Sequence, residues 1–60
     1  MTYGEKQRAI SGAESIVNET WLALRLAERE GNPETVATWR TANVRARLDL
    51  AGLRLAVAEP

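Results

Sequence analysis

The chain has 60 residues, with eight Lys or Arg, eight Asp or Glu and no net formal charge at pH 7. This length makes residues 1–60 a single small domain, whose core is too small to be more than marginally stable alone. Because the chain has no Cys and no His, disulfides, thiolate metal sites and histidine chemistry are excluded. Oligomerisation is the remaining way for so small a domain to gain stability.

The first predicted helix runs from about residue 3 to residue 30. Thr2 and Glu5 form a T-x-x-E capping box at its start. Its apolar residues recur at heptad-like spacing, which predicts the face that meets a second helix. This stripe consists of Tyr3, Ile10, Ala13, Val17, Thr20, Trp21, Leu24 and Ala27.

A two-residue turn at residues 31–32 is predicted to join this helix to a second one, which runs from about residue 33 to residue 58. Gly31 can adopt the left-handed conformation that ends a helix. Asn32 is a favoured N-cap, Pro33 suits the first helical position, and Glu34 places a favourable charge in the first turn. The stretch therefore indicates a helix stop followed directly by a helix start.

The second predicted helix carries two apolar stripes. The first stripe consists of Val36, Trp39, Asn43, Ala46, Leu50, Leu53 and Val57. The second stripe consists of Ala37, Thr41, Val44, Leu48, Ala51 and Leu55. A hairpin uses one face of each helix, so the second stripe predicts contact with another chain. We therefore expect an oligomer interface at Val44, Leu48, Ala51 and Leu55.

The turn also sets a register in which residue i lies near residue 63−i. It places Ala13 opposite Leu50, and along the hairpin large side chains mostly face small ones. Gly12 falls near Gly52, which predicts a close approach of the two backbones at the open end. The predicted fold class is all-α: an antiparallel two-helix hairpin that dimerises into a four-helix bundle.

Arg40, Arg47 and Arg54 repeat every seven residues between the two stripes of the second helix. As a row of guanidinium groups they predict phosphate contacts with RNA or DNA. The alternative interpretation is a row that pairs with carboxylates such as Glu5 and Glu14 and covers apolar surface with its stems. The neutral net charge favours pairing over nucleic-acid binding.

Three further features have two interpretations each. We expect Trp21 and Trp39 to be buried anchors near the closed end, with base stacking as the alternative. Asn43, a polar residue in an apolar stripe, either fixes register and oligomer state or lies at an edge with its amide in solvent. Leu22 and Leu26 lie off the first helix's stripe, and either form a patch for a protein partner or are ordinary surface leucines.

Catalytic chemistry has little support in this sequence. Ser11 and Ser15 have no evident base, the carboxylates are scattered from Glu5 to Glu59, and no Gly-rich phosphate loop appears. We therefore expect no enzyme activity, no cofactor and no metal site. No apolar run reaches the length of a membrane span, and the first residues lack a signal-peptide layout, so the predicted location is cytoplasmic.

The Met-Thr-x-x-Glu-Lys sequence of residues 1–6 resembles the start of the Rop-type plasmid copy-number regulators, and the hairpin is similar to them in outline. The resemblance implies a dimer of hairpins that forms a four-helix bundle and binds RNA. The RNA-binding face of that family uses polar and aromatic residues of the first helix. This chain has Ile10 and Glu14 there, so no binding residues carry over.

The sequence leaves three functions open. The first is a small interaction or regulatory module that binds a copy of itself and a protein partner. The second is a nucleic-acid-binding dimer that uses the arginine row. The third is a structural element of a phage or larger complex, which higher-order oligomers would distinguish from the other two.

Overall fold

The computed structural model describes residues 2–58, and these residues form two antiparallel α-helices packed along their length. Helix α1 spans Tyr3–Glu30 and helix α2 spans Pro33–Ala58. The Cα atoms extend over 45 × 14 × 11 Å. The predicted all-α hairpin is therefore confirmed, while Met1 of the opening motif and the carboxylate Glu59 lie outside the described residues.

The start of α1 has the predicted N-cap. The Thr2 hydroxyl oxygen accepts a hydrogen bond from the backbone N–H of Glu5 at 3.3 Å. The backbone N–H of Lys6 donates to the Thr2 carbonyl at 3.0 Å, which begins the helical hydrogen-bond pattern. Glu5 also places a negative charge in the first turn, where the helix dipole favours it.

The turn between the helices satisfies backbone groups on both sides. Gly31 is left-handed, with φ 80° and ψ 14°, and its N–H donates to the Ala27 carbonyl at 3.0 Å. Asn32 Oδ1 accepts from the backbone N–H groups of Glu34 at 3.0 Å and Thr35 at 3.3 Å. These bonds cap the last turn of α1 and the first turn of α2, and they confirm the predicted stop and start.

The first stripe of α2 faces α1, as predicted, and the core between the helices consists mainly of small side chains. Ala27, Ala46 and Leu50 are buried, together with the polar Thr20 and Asn43. No side chain among residues 2–58 is fully buried. The hairpin core is thin, as expected for so short a chain.

Hydrogen bonds of Asn43 fix how the two helices are aligned. Asn43 Nδ2 donates to Thr20 Oγ1 at 3.0 Å and to the Val17 carbonyl at 3.1 Å. The pairing of residues 20 and 43 satisfies the predicted 63−i register. Because Asn43 is only 4% exposed, the interpretation that placed its amide in solvent is wrong, and its bonds across the hairpin are those expected of a residue that fixes register, which stays a prediction.

The aromatic residues differ from their predicted positions. Tyr3 is 75% exposed, Trp21 is 50% exposed and Trp39 is 36% exposed. The prediction that the two tryptophans are buried anchors is therefore wrong, as is the placement of Tyr3 in the contact stripe. Trp21 lies about 100° around α1 from the buried Thr20, on a flank that no third helix covers.

The predicted close approach of the backbones at the open end is also wrong. A Cβ atom built on Gly12 or Gly52 has no non-local heavy atom within 4 Å. Both glycines are exposed, because Gly12 lies to one side of the helix–helix contact and Gly52 lies on the side of α2 away from α1. Their helical positions therefore have room for a side chain.

Gly12→Ala and Gly52→Ala should each stabilise the hairpin by up to about 1 kcal/mol, because Ala has the higher helix propensity and its methyl group meets open space. The matched control is Gly31→Ala. It should destabilise by about 1–2 kcal/mol, because its φ of 80° is strained for an L side chain. Urea unfolding followed by circular dichroism measures all three, and a less stable Gly12→Ala variant would contradict this packing.

Candidate interaction surfaces

The second stripe of α2 forms an exposed apolar surface on the side of the hairpin away from α1. Val44 is 49% exposed, and Leu48 and Leu55 are each 68% exposed. At about 100° per residue, the stripe lies about 150° around α2 from the first stripe. The prediction that a single hairpin leaves these side chains exposed is therefore confirmed.

Arginines border this apolar surface on both sides. A shallow hollow of about 550 Å³ is lined by Arg40, Thr41, Val44, Arg45 and Leu48. Arg40 and Arg45 lie on its two rims, while the valine and leucine form an apolar floor. A surface of this shape can receive apolar side chains from another helix.

The arginine row runs along one edge of the second stripe. Arg40, Arg47 and Arg54 are exposed, and each is displaced from the next by about 10 Å along the helix axis. No salt bridge within residues 2–58 joins them to a carboxylate, so the expected pairing with Glu5 and Glu14 is absent. Glu14 does line a groove of about 370 Å³ that also involves Arg47 and Arg54.

Leu22 and Leu26 form the predicted patch on the outer side of α1. They are 62% and 56% exposed and share a hollow of about 190 Å³ with Arg25 and Arg29. The patch is smaller than the second stripe, since only two large apolar residues contribute to it. It lies on the opposite side of the hairpin from α2.

A charged and aromatic cluster next to this patch was not predicted. The Arg25 guanidinium lies over the Trp21 ring, 5.5 Å from its centroid. Arg25 Nη1 also approaches Glu28 Oε1 at 3.9 Å. The Trp–x–x–x–Arg spacing could have revealed the first contact, because residues four apart are neighbours on a helix. The cluster gives the half-exposed indole a polar neighbour on its open side.

Among residues 2–58, no group of three or more His, Cys, Asp or Glu side chains is placed to hold a metal ion. Neither helix, over the same residues, has the length and hydrophobicity that crossing a membrane requires.

The second stripe, the arginine row and the Leu22–Leu26 patch are therefore the surfaces that this hairpin offers to a partner. No family model matches the chain, and neither does any curated protein or solved structure. The position, exposure and charge of these three surfaces are therefore the features that bear on function.

Proposed function

We propose that this protein is a small, non-enzymatic interaction module that acts through protein–protein contacts and self-associates as a dimer of hairpins containing four helices. The observation that carries the proposal is the row of exposed Val44, Leu48 and Leu55 along α2. A regulatory role and a cytoplasmic location belong to the same proposal. The dimer would be the form in which the module meets its partner.

The energy available from this surface is large for a chain of this size. Complete burial of a Val or Leu side chain contributes about 1.5–3 kcal/mol. Val44, Leu48 and Leu55 retain roughly half to two-thirds of their surface for that purpose. Two copies together provide six such side chains, or roughly 5–11 kcal/mol of apolar burial before the entropy lost on association. Whole domains are stabilised by only about 5–15 kcal/mol.

Sedimentation equilibrium tests the proposal directly. Between about 1 and 100 μM, the mass should rise from one chain toward two, because dimerisation follows mass action. Thermal unfolding should move to higher temperature over the same concentration range. A single-chain mass at the highest concentration would contradict the proposed self-association.

Nucleic-acid binding by a hairpin dimer is the second candidate function. It is favoured by one observation: Arg40, Arg47 and Arg54 are exposed and make no salt bridge to a carboxylate within residues 2–58. From residue 35 to residue 58, α2 carries four Arg and one Asp. An aligned row of guanidinium groups can contact successive phosphates.

Gel shifts with generic RNA and DNA separate this candidate from the first. Phosphate binding should retard the nucleic acid at low salt and weaken steeply as salt is added. Arg47→Gln should reduce the retardation, whereas Arg29→Gln, on the other helix, is the matched control. An absence of retardation at tens of micromolar protein would eliminate nucleic-acid binding.

A structural assembly role is the third candidate, and the Leu22–Leu26 patch is the observation that favours it. This patch and the second stripe lie on opposite outer surfaces of the hairpin, so a copy could bind on each side. Contacts between unlike surfaces need not close and can extend into larger assemblies. Sedimentation would then show species beyond the dimer, and Leu26→Glu would remove them without removing the dimer.

A further inference from the structure

The geometry points to a specific dimer: a second copy docks antiparallel along the second stripe of α2, with residue i near residue 92−i of that copy. The inference rests on the proposed self-association and adds the direction and register in which the two copies pack. The four helices then lie in one flat layer, in the order α1, α2, α2 of the second copy and α1 of the second copy. This arrangement differs from the closed four-helix bundle expected from the sequence.

The flat layer follows from the angle between the two stripes. In a closed bundle each helix meets two neighbours on adjacent faces, so its apolar residues form one continuous surface. On α2 the two stripes are instead about 150° apart, and the arginine row lies in the interval on one side. A helix that packs on opposite faces has its neighbours in line with it, which produces a layer.

The antiparallel direction follows from side-chain size. The second stripe is centred on position 46, so an antiparallel copy sets Ala37 opposite Leu55 and Val44 opposite Leu48. Each leucine of the stripe then faces a smaller side chain of the other copy, Leu55 against Ala37 and Leu48 against Val44, which favours close packing. A parallel copy would instead set each leucine against its equivalent and each alanine against its equivalent, leaving bulges and gaps at alternate levels. The antiparallel contact is also isologous, so it closes at two copies.

A second copy is favoured over an unrelated helix because the stripe is complementary to itself about position 46, with both leucines facing smaller side chains of the other copy. The charges at the rim of the apolar contact distinguish a second copy from other occupants. The antiparallel contact brings Arg47 near Arg47 of the second copy and Arg40 near Arg54 of that copy. These like charges lie at the exposed edge of the apolar contact, where they weaken association without preventing it.

Added salt should therefore strengthen the binding of a second copy and weaken the binding of an acidic partner or a nucleic acid. Screening of the arginines should tighten the dimer as salt rises from about 20 to 200 mM. Arg47→Gln should tighten it at low salt by about two- to fivefold. An acidic partner helix or a nucleic acid on the same surface would bind more weakly as salt rises. A dimer that weakens with salt would overturn the proposed charge arrangement.

Cysteine cross-linking tests the register itself, and the absence of native Cys makes each introduced thiol unique. Thr38→Cys, Arg45→Cys and Gly52→Cys all replace exposed residues on one flank of α2. Across the antiparallel contact, two copies of position 45 are offset by about 3 Å along the axis, and positions 38 and 52 are offset from each other by about 3 Å. Two copies of position 38 are about 24 Å apart along the axis, and two copies of position 52 about 18 Å.

A short bis-maleimide should therefore link Arg45→Cys to itself, and should link Thr38→Cys to Gly52→Cys only when the two variants are mixed. The same variants carrying Leu48→Glu give the background from random collisions, and circular dichroism confirms that each is folded. Equal self-linking at all three positions would overturn the antiparallel register, and linking at none of them in a sedimenting dimer would overturn the layer. In both cases self-association itself would stand, whereas a chain that sediments as a monomer would overturn both proposals.

Discussion

Leu48→Glu should convert the proposed dimer into a folded monomer and weaken self-association by at least about 100-fold. Leu48 is 68% exposed in the hairpin, so its replacement removes little from the contact between α1 and α2. Glu is also a strong helix former, and α2 should keep its helical content. Circular dichroism and sedimentation at matched concentrations separate the loss of association from a loss of folding.

The size of the effect follows from symmetry. The proposed dimer contains Leu48 twice, and because Leu48 is 68% exposed in the hairpin, each copy loses roughly 1–2 kcal/mol of apolar burial when the side chain is replaced. The introduced carboxylates would face Val44 of the other copy, where desolvation of an unpaired charge is strongly unfavourable. Two such losses, together with the desolvation of two unpaired carboxylates, exceed the roughly 2.7 kcal/mol that corresponds to a 100-fold change in dissociation constant.

Leu22→Glu is the matched control for Leu48→Glu. Leu22 is a leucine of similar exposure, 62% against 68%, but it lies on the outer side of α1. The Leu22→Glu substitution should therefore leave the proposed dimer intact while reducing any binding through the Leu22–Leu26 patch. If Leu22→Glu dissociates the dimer and Leu48→Glu does not, the interface lies on α1 and the assignment to the second stripe is wrong.

Most of the hairpin could be predicted because its signals are local. The roles of Gly31 and Asn32 depend on residues within four positions along the chain, and both appear in the structure with the expected hydrogen bonds. The register follows from the same turn, since a two-residue connection leaves antiparallel helices little freedom to slide. The bond between Asn43 and Thr20 confirms it far from the turn.

The exposure of residues beside the helix–helix contact could not be predicted from periodicity. Heptad spacing gives the direction of a side chain, but burial also requires a neighbour in that direction. Trp21 shares the general direction of the α1 stripe and is still half-exposed, because the hairpin has no third helix on that flank. Apolar spacing also gave no reason to examine Arg25, whose contact with the Trp21 ring is electrostatic.

The buried amide of Asn43 explains how so thin a core holds one alignment. Within the limited freedom that the two-residue turn leaves, alanine and leucine contacts select one alignment less strongly than hydrogen bonds do, because the hydrophobic effect is non-directional. The two hydrogen bonds of Asn43 can form only when it faces Thr20 and the Val17 carbonyl. A slide would leave the amide buried without partners, at a cost of about 1–3 kcal/mol. The polar pair therefore disfavours the alternative alignments that the apolar residues would permit.

Asn43→Ala should destabilise the hairpin by about 1–3 kcal/mol, a large share of the stability of a domain this small. Thr20→Val removes the acceptor hydroxyl at nearly constant volume and should cost about 1 kcal/mol. The hydroxyl of Thr20 also bonds to the Ile16 carbonyl at 2.8 Å, so Thr20 keeps a partner when Asn43 is removed. The double variant should therefore lose less than the sum of the single variants, with a coupling of about 0.5–1.5 kcal/mol. Urea unfolding of the four proteins measures that coupling, and additive losses would show that the bond between the two side chains contributes nothing to the alignment.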